Sequence, residues 1–201
     1  MTTAEGIITV IPANEASWDD IQAVLGTRGT GALCQCQRYK LAPGESFAGS
    51  PAEERAHRLR EQTDTGHPES STTSGLLAYL GGLPVGWCAV EPRPHYTGLI
   101  RAFRVPWEGR FEDPTDPDVW ALTCVFARAR YRRRGVSRAL VRAAVEYARQ
   151  RGARALEGYP MTTTRAIAEE LHVGTVRTFA EAGFREVSHP TPRSVVMRID
   201  F

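Results

Sequence analysis

The chain has 201 residues, of which 42% are apolar and 24% charged, the balance of an ordinary soluble globular protein, so a disordered or fibrous chain is excluded. That length suffices to bury one sizeable core. The formal net charge of +2 is too small to mark the whole chain as a nucleic-acid binder.

Residues 1–5 carry neither a basic segment nor a long apolar run, so no secretory signal is expected. β-Branched residues 7–11 predict a first strand ending at Pro12. Ser17-Trp18-Asp19-Asp20 then predicts a helix start, with Trp18, Ile21 and Leu25 as its apolar stripe. Residues 26–49 are glycine-rich and read as irregular. Ser50 as N-cap, Pro51 at the first helical position and Glu53 predict a second helix fading near Thr63. Residues 64–74 are polar and read as a loop.

Residues 76–80 and 83–91 flank Gly81-Gly82, which predicts a tight hairpin, since positive φ is free of strain at glycine. This apolar stretch is broken by Gly81, Gly82, Pro84 and Gly86 and is too short to span a bilayer. A long proline-rich connection follows over residues 92–117, with His95, Tyr96, Phe103, Trp107 and Phe111; whether it forms a lid stays open at this stage. Residues 119–127 are apolar throughout, as in a central strand covered on both faces. Val136, Ala139, Leu140, Ala143, Ala144, Tyr147 and Ala148 follow a helical period, with Arg138, Arg142 and Arg149 outward and Gly152 as the stop. A short strand over residues 153–159, a helix over 174–182 and a hairpin of 184–188 with 195–199 complete the chain. There are no repeats and no linker, so residues 1–201 are expected to form one α/β domain.

Four cysteines in a chain without an export signal predict free thiols in a reducing cytoplasm rather than disulfides. Cys34-Gln35-Cys36 is half of a metal site, but no second pair stands at a zinc-like spacing, and no metal is expected. Cys124 is read as a small apolar filler, with an acyl-enzyme nucleophile as the alternative.

The chemistry concentrates between residues 119 and 151. Lys40 is the only lysine, and of the 24 arginines six, at 128, 130, 132, 133, 134 and 138, fall within eleven residues. GC-rich coding explains arginine in place of lysine but not this cluster. A helix N-terminus carries unpaired N–H groups and partial positive charge, so it favours acidic neighbours. Here Arg132, Arg133 and Arg134 precede Gly135, and Arg138 follows within a turn. That placement fits a bound anion, because glycine lets backbone approach it and guanidinium forks match phosphate oxygens. The bland alternative is a solvated arginine-rich loop. The patterns of a nucleotide P-loop and of a dinucleotide site are both absent.

Arg132-Arg133-Arg134-Gly135-Val136-Ser137 resembles the Gln/Arg-x-x-Gly-x-Gly/Ala signature of the GNAT superfamily of acyl-CoA-dependent N-acyltransferases, with Ser137 in place of the last small residue. Residues 125–131 are similar to the family's strand end and lead-in loop, and residues 176–184 to its late helix ending in Gly-Phe. The likeness covers about residues 76–201 and resembles an uncharacterised bacterial branch. It implies a mixed, mostly antiparallel central sheet flanked by helices, with a splayed pair of parallel strands at the cofactor site. It implies further that Val125, Phe126, Ala127, Arg132, Arg133, Arg134, Gly135, Val136, Ser137 and Arg138 hold acetyl-CoA as cosubstrate.

The expected reaction is direct acetyl transfer to an amine through a tetrahedral intermediate, with an oxyanion held by a backbone N–H. The tyrosine that many members place four residues before the Gly of Gly-Phe is Phe179 here, which has no proton to give. Tyr159 and His172 are the stand-in catalytic residues, against plain readings as a strand-end packing residue and a surface histidine. Glu91 and Glu157 are candidate bases through water, and the aromatics of residues 96–107 with residues 28–39 are candidate walls of the acceptor pocket. The expected partner is a small-molecule or peptide amine acceptor; neither nucleic acid nor membrane is expected, and a homodimer stays open. The competing readings are an acyl-CoA sensor without turnover and, with least support, a nucleic-acid contact made by the arginine run.

Overall fold

Seven strands form one sheet in the order β1-β2-β3-β4-β5-β7-β6. The computed structural model describes residues 6–102, 107, 109–162 and 171–201; Phe103 and residues 1–5 of the sequence reading lie outside these. The strands are β1 (Ile8–Pro12), β2 (Leu76–Leu80), β3 (Leu83–Pro92), β4 (Val119–Ala127), β5 (Ala155–Gly158), β6 (Arg185–Thr191) and β7 (Ser194–Asp200). All neighbours are antiparallel except β4 and β5, which run parallel. The helices are α1 (Trp18–Leu25), α2 (Gly29–Cys34), α3 (Ala52–Thr63), α4 (Thr97–Ala102), α5 (Val136–Gln150) and α6 (Val176–Ala180).

The architecture is thus a mixed, mostly antiparallel sheet flanked by helices. Gly81 and Gly82 both take positive φ, 57° and 78°, in the β2–β3 hairpin. On one face, Leu140, Val141, Ala144 and Ala148 of α5 pack on Val85, Val90, Leu122 and Val125. On the other, Ile21, Val24 and Leu25 of α1 and Leu59 of α3 pack on Leu77, Trp87 and Ala89. Tyr96, Leu99, Ala121, Tyr159 and Val196 form a third cluster over β4, β5 and β7.

Several expectations shift. The glycine-rich residues 26–49 are only partly irregular, because they hold α2 and a 3₁₀ turn over Arg38–Lys40. Ser50 does not cap α3: Pro51 occupies the N-cap without a side-chain bond, and the helix starts at Ala52. The Arg55 guanidinium instead reaches the carbonyls of Ser50, Phe47 and Leu33 and ties the lead-in loop to the helix. β5 and α6 are shorter than their apolar patterns. β5 loses Ala153 and Arg154 to the turn after α5, where the Ala153 N–H still bonds the Ala148 carbonyl. α6 starts after Thr175, and its end is closed by short-range turns leading to Gly183. Among the described residues no helix is long and apolar enough to cross a membrane.

Candidate cofactor and reaction site

The parallel pair separates. Pairing runs from Val119 with Ala155 to Leu122 with Gly158, and β4 then continues through Ala127 with no β5 partner. Just there β4 carries a bulge: Ala89 pairs with Cys124 and Val90 with Leu122, so Thr123 is an extra residue. Val125, Phe126 and Ala127 therefore lie on the stretch of β4 that β5 has left. Across the gap, Phe179 packs on the last residue of β5, since a Cβ added to Gly158 would fall 2.0 Å from its ring. The turn Leu171–Val173 packs against β4 and brings His172 to this region.

At the end of β4 the chain is pinned to β3 by the Arg128 N–H on the Val85 carbonyl (2.9 Å) and by the Arg128 guanidinium on the Pro84 carbonyl (2.9 Å). Arg128 and Arg134 both stack over the Tyr131 ring at 5.7 Å. Arg133 takes φ of +62° and Gly135 +83°, so two left-handed residues bracket Arg134 and turn the backbone into the start of α5. Such alternation makes a concave array of N–H groups suited to an anion. Gly135 is the N-cap, makes no side-chain cap bond, and is followed by no acidic residue in the first turn. Those helix N–H groups are left for a ligand or water.

Arg130, Arg132, Arg133 and Arg134 are solvent-exposed, and among the described residues no carboxylate pairs with them. Arg138 differs, since its guanidinium pairs with Glu181 of the α6 region at 2.7 Å. A cavity of about 470 Å³ opens beside this loop, lined by Leu25, Gly26, Arg28, Gly31, Phe126 and Arg132 among others. Placement of the α1–α2 corner against the arginine loop was not read from the sequence; only its glycine density hinted at a tight approach.

Two further charged clusters occupy the face opposite α5. Glu157, fully buried on β5, receives Arg93 (3.2 Å), Arg110 and Arg198 (3.1 Å). Burial would raise its pKa, yet the hydrogen bond and charge of Arg110, with Arg93 and Arg198, leave it below the usual range. The Tyr159 hydroxyl donates to this same carboxylate at 3.2 Å. Burial first and Glu157 second push the Tyr159 pKa well above the ordinary value. Arg93 also holds the Asp113 and Pro114 carbonyls, so the described ends of residues 92–117 are tied to the sheet.

The second cluster lies at the end of β3. Glu91 is paired with Lys40 and with His95 Nδ1 (2.9 Å), and Ser74 bridges Lys40 (2.7 Å) and Glu91 (2.9 Å). Burial raises the Glu91 pKa, but His95 and Lys40 more than offset it. Tyr96 is fully buried over this part of the sheet, and burial pushes its pKa well above the ordinary value. A cavity of about 840 Å³, lined by Glu91, His95, Trp120, Tyr147 and Arg151 among others, opens beside Glu91 at the end of the sheet away from the arginine loop. Among the described residues no cluster of three or more His, Cys, Asp or Glu could hold a metal ion.

The model of the acetyltransferase (GNAT) family matches residues 39–172, well over half of the chain. A PaiA N-acetyltransferase from Thermoplasma acidophilum in complex with coenzyme A has a similar fold, with a TM-score of 0.55 at 11% identity over 97% of this chain and 99% of that one. A ribosomal-protein-alanine N-acetyltransferase from Brucella melitensis gives 0.54 at 17% identity, over 97% and 99%. A GCN5-related N-acetyltransferase from Kribbella flavida gives 0.52 at 18%, over 96% and 98%. At these identities the likeness speaks of fold alone. No curated protein sequence matches. The chain belongs to the acetyltransferase (GNAT) family.

Proposed function

We propose that this family member transfers the acetyl group of acetyl-CoA directly to an amine on a small molecule or peptide, in the cytoplasm. The observation that carries the reading is the uncapped start of α5, with Gly135 left-handed and Arg132, Arg133 and Arg134 exposed, at the end of a strand that has parted from its parallel neighbour. A pyrophosphate is the anion that fits an N–H array with flanking guanidinium forks. Val125, Phe126 and Ala127 would line the acyl-bearing arm on the unpaired stretch of β4, and Val136, Ser137 and Arg138 would complete the first turn around the anion.

The substrate thioester brings an activated acyl group, and this chain's own groups supply orientation and proton handling. The acceptor must lose a proton and the departing thiolate must gain one. Glu91, paired with His95 beside the larger cavity, is the candidate proton acceptor, acting through water. Tyr159 and His172 are the candidate donors. The Tyr159 proton is already engaged by Glu157, and His172 sits in a turn that packs against β4.

The test is calorimetric titration with acetyl-CoA, followed by an amine screen read by thiol release. Binding in the micromolar range with turnover of at least one amine is expected. One observation favours a second reading, a sensor that binds acyl-CoA without transfer: Phe179 packs at the split with no hydroxyl. Tight binding with no turnover across the screen would support that reading instead.

A further inference from the structure

The Cys34-Gln35-Cys36 segment has no chemical role in the reaction proposed above, yet it is held in an unusual way. Gln35 and Cys36 take φ of +46° and +53°, consecutive non-glycine residues in the left-handed region. Such backbone persists only where its surroundings over-determine it, and it gathers at functional sites. The surroundings here are two buried glutamines on either side of Cys36. Gln35 pairs with Gln22 of α1 at 3.0 Å, and Gln37 with Gln62 of α3 at 2.8 Å.

This clamp aims the Cys36 sulfur at the sheet. The indole N–H of the fully buried Trp87 donates to Cys36 Sγ at 3.1 Å, and Cys36 packs on the same cluster that holds Trp87 and Cys124. The neighbouring Cys124 thiol, together with the Trp87 bond and the Lys40 charge, outweighs burial and lowers the Cys36 pKa. Cys124 moves the other way, its pKa raised by Cys36 and by burial. The thiolate form is therefore favoured at Cys36 relative to Cys124. The remaining cysteines are worse placed. Cys88 packs on the α5 face, across the sheet from Cys124, and burial raises the Cys34 thiol.

We infer that Cys36 and Cys124 form an oxidisable pair whose substrate is a hydroperoxide, with Cys36 as the attacking sulfur and Cys124 as the resolving one. The Cys36 thiolate attacks the distal hydroperoxide oxygen. The O–O bond breaks, the peroxide is reduced to the alcohol or water after taking a proton, and Cys36 becomes a sulfenic acid. The Cys124 thiol then gives up its proton and its sulfur attacks Cys36. The S–O bond breaks, the leaving hydroxide takes that proton as water, and a disulfide joins the α2 loop to β4. In sum, two thiols and one hydroperoxide give one disulfide, one alcohol or water, and one further water.

The full-length reduced protein treated with one equivalent of hydrogen peroxide tests this. The intact mass should fall by about 2 Da, a Cys36–Cys124 linked peptide should appear on digestion, and dithiothreitol should reverse both. Cys124→Ser should stop at the sulfenic acid, trapped by dimedone on Cys36. Trp87→Phe should slow Cys36 consumption about tenfold, because the thiolate loses a donor; the wild-type peptide map stands even if that variant folds poorly. The inference is overturned if Cys36 stays reduced, or if its linked peptide contains Cys34, Cys88 or a second copy of the chain.

Discussion

Val136, the first residue of α5, rests directly on the backbone of Gly86 in β3: a Cβ at Gly86 would lie 2.4 Å from Val136 Cγ1 and 3.0 Å from Leu140 Cδ1. Gly86 pairs in turn with Ala127, the last residue of β4. The helix start that would meet the cofactor is therefore seated on the same two strands that end at the arginine loop. Gly86→Ala should push α5 away from the sheet, costing about 1–3 kcal/mol of stability as an overpacked core does. Acetyl-CoA affinity should fall with it. Thermal unfolding and calorimetry on one variant check both, and wild-type values in the two assays would sever the link between Gly86 and the helix start.

Gly135 presents the opposite case. A Cβ there would meet nothing nearer than Ile8 Cδ1 at 4.0 Å, so space is open while φ of +83° strains any other residue. Gly135→Glu adds that strain and sets a carboxylate where an anion is expected, and acetyl-CoA binding should be lost. Arg132→Ala and Arg133→Ala leave the backbone intact and should each weaken binding about tenfold, less at high salt because these side chains are exposed. Unchanged affinity in Gly135→Glu would sink the assignment of this loop to the cofactor.

Much of this arrangement is legible in the sequence, for local reasons. The hairpin follows from Gly81-Gly82, β4 from an unbroken apolar run, and α5 from a strict helical period, each a signal carried by neighbouring residues. The α5 N-terminus is legible because arginines stand where acids are favoured. What escapes is set by contacts distant in sequence. Nothing around Lys40 announces Glu91, 51 positions on, and nothing around Glu157 announces Arg93, Arg110 and Arg198. Ser50 has the right residue type for an α3 cap, but Arg55 ties the Ser50 carbonyl and, 22 positions away, the Leu33 carbonyl to the helix, and the second of these is a tertiary bond that no local pattern announces.

The Glu157 cluster sets an acid limit on stability. Its folded pKa is lowered, so its contribution is fully present above the unfolded carboxylate value near 4.3 and is lost as pH falls through the folded value. Removing one partner of a buried ion cluster typically costs about 3–5 kcal/mol. Glu157→Gln should therefore destabilise the protein by about 3 kcal/mol at pH 7 and flatten the decline of melting temperature below pH 4. If the variant keeps the wild-type acid profile, the cluster does not carry that decline.

The two candidate proton donors separate by what each already does. The Tyr159 hydroxyl gives its proton to Glu157, and its raised pKa makes it a reluctant acid. Tyr159→Phe should thus cost about 1 kcal/mol of stability, while kcat stays within about threefold, since a group that is not transferring a proton leaves general-acid catalysis intact. His172 stands in the turn that packs on β4, where β5 has departed. His172→Gln keeps a polar side chain of similar reach but removes the imidazole proposed as the donor, so kcat should fall about a hundredfold with acetyl-CoA affinity unchanged. The alkaline limb of the kcat profile should go with it, because that limb reports the acid that protonates the leaving thiolate. A hundredfold loss in Tyr159→Phe with a wild-type profile in His172→Gln would reverse the assignment. Loss of acetyl-CoA binding in His172→Gln would make that residue part of the cofactor wall instead.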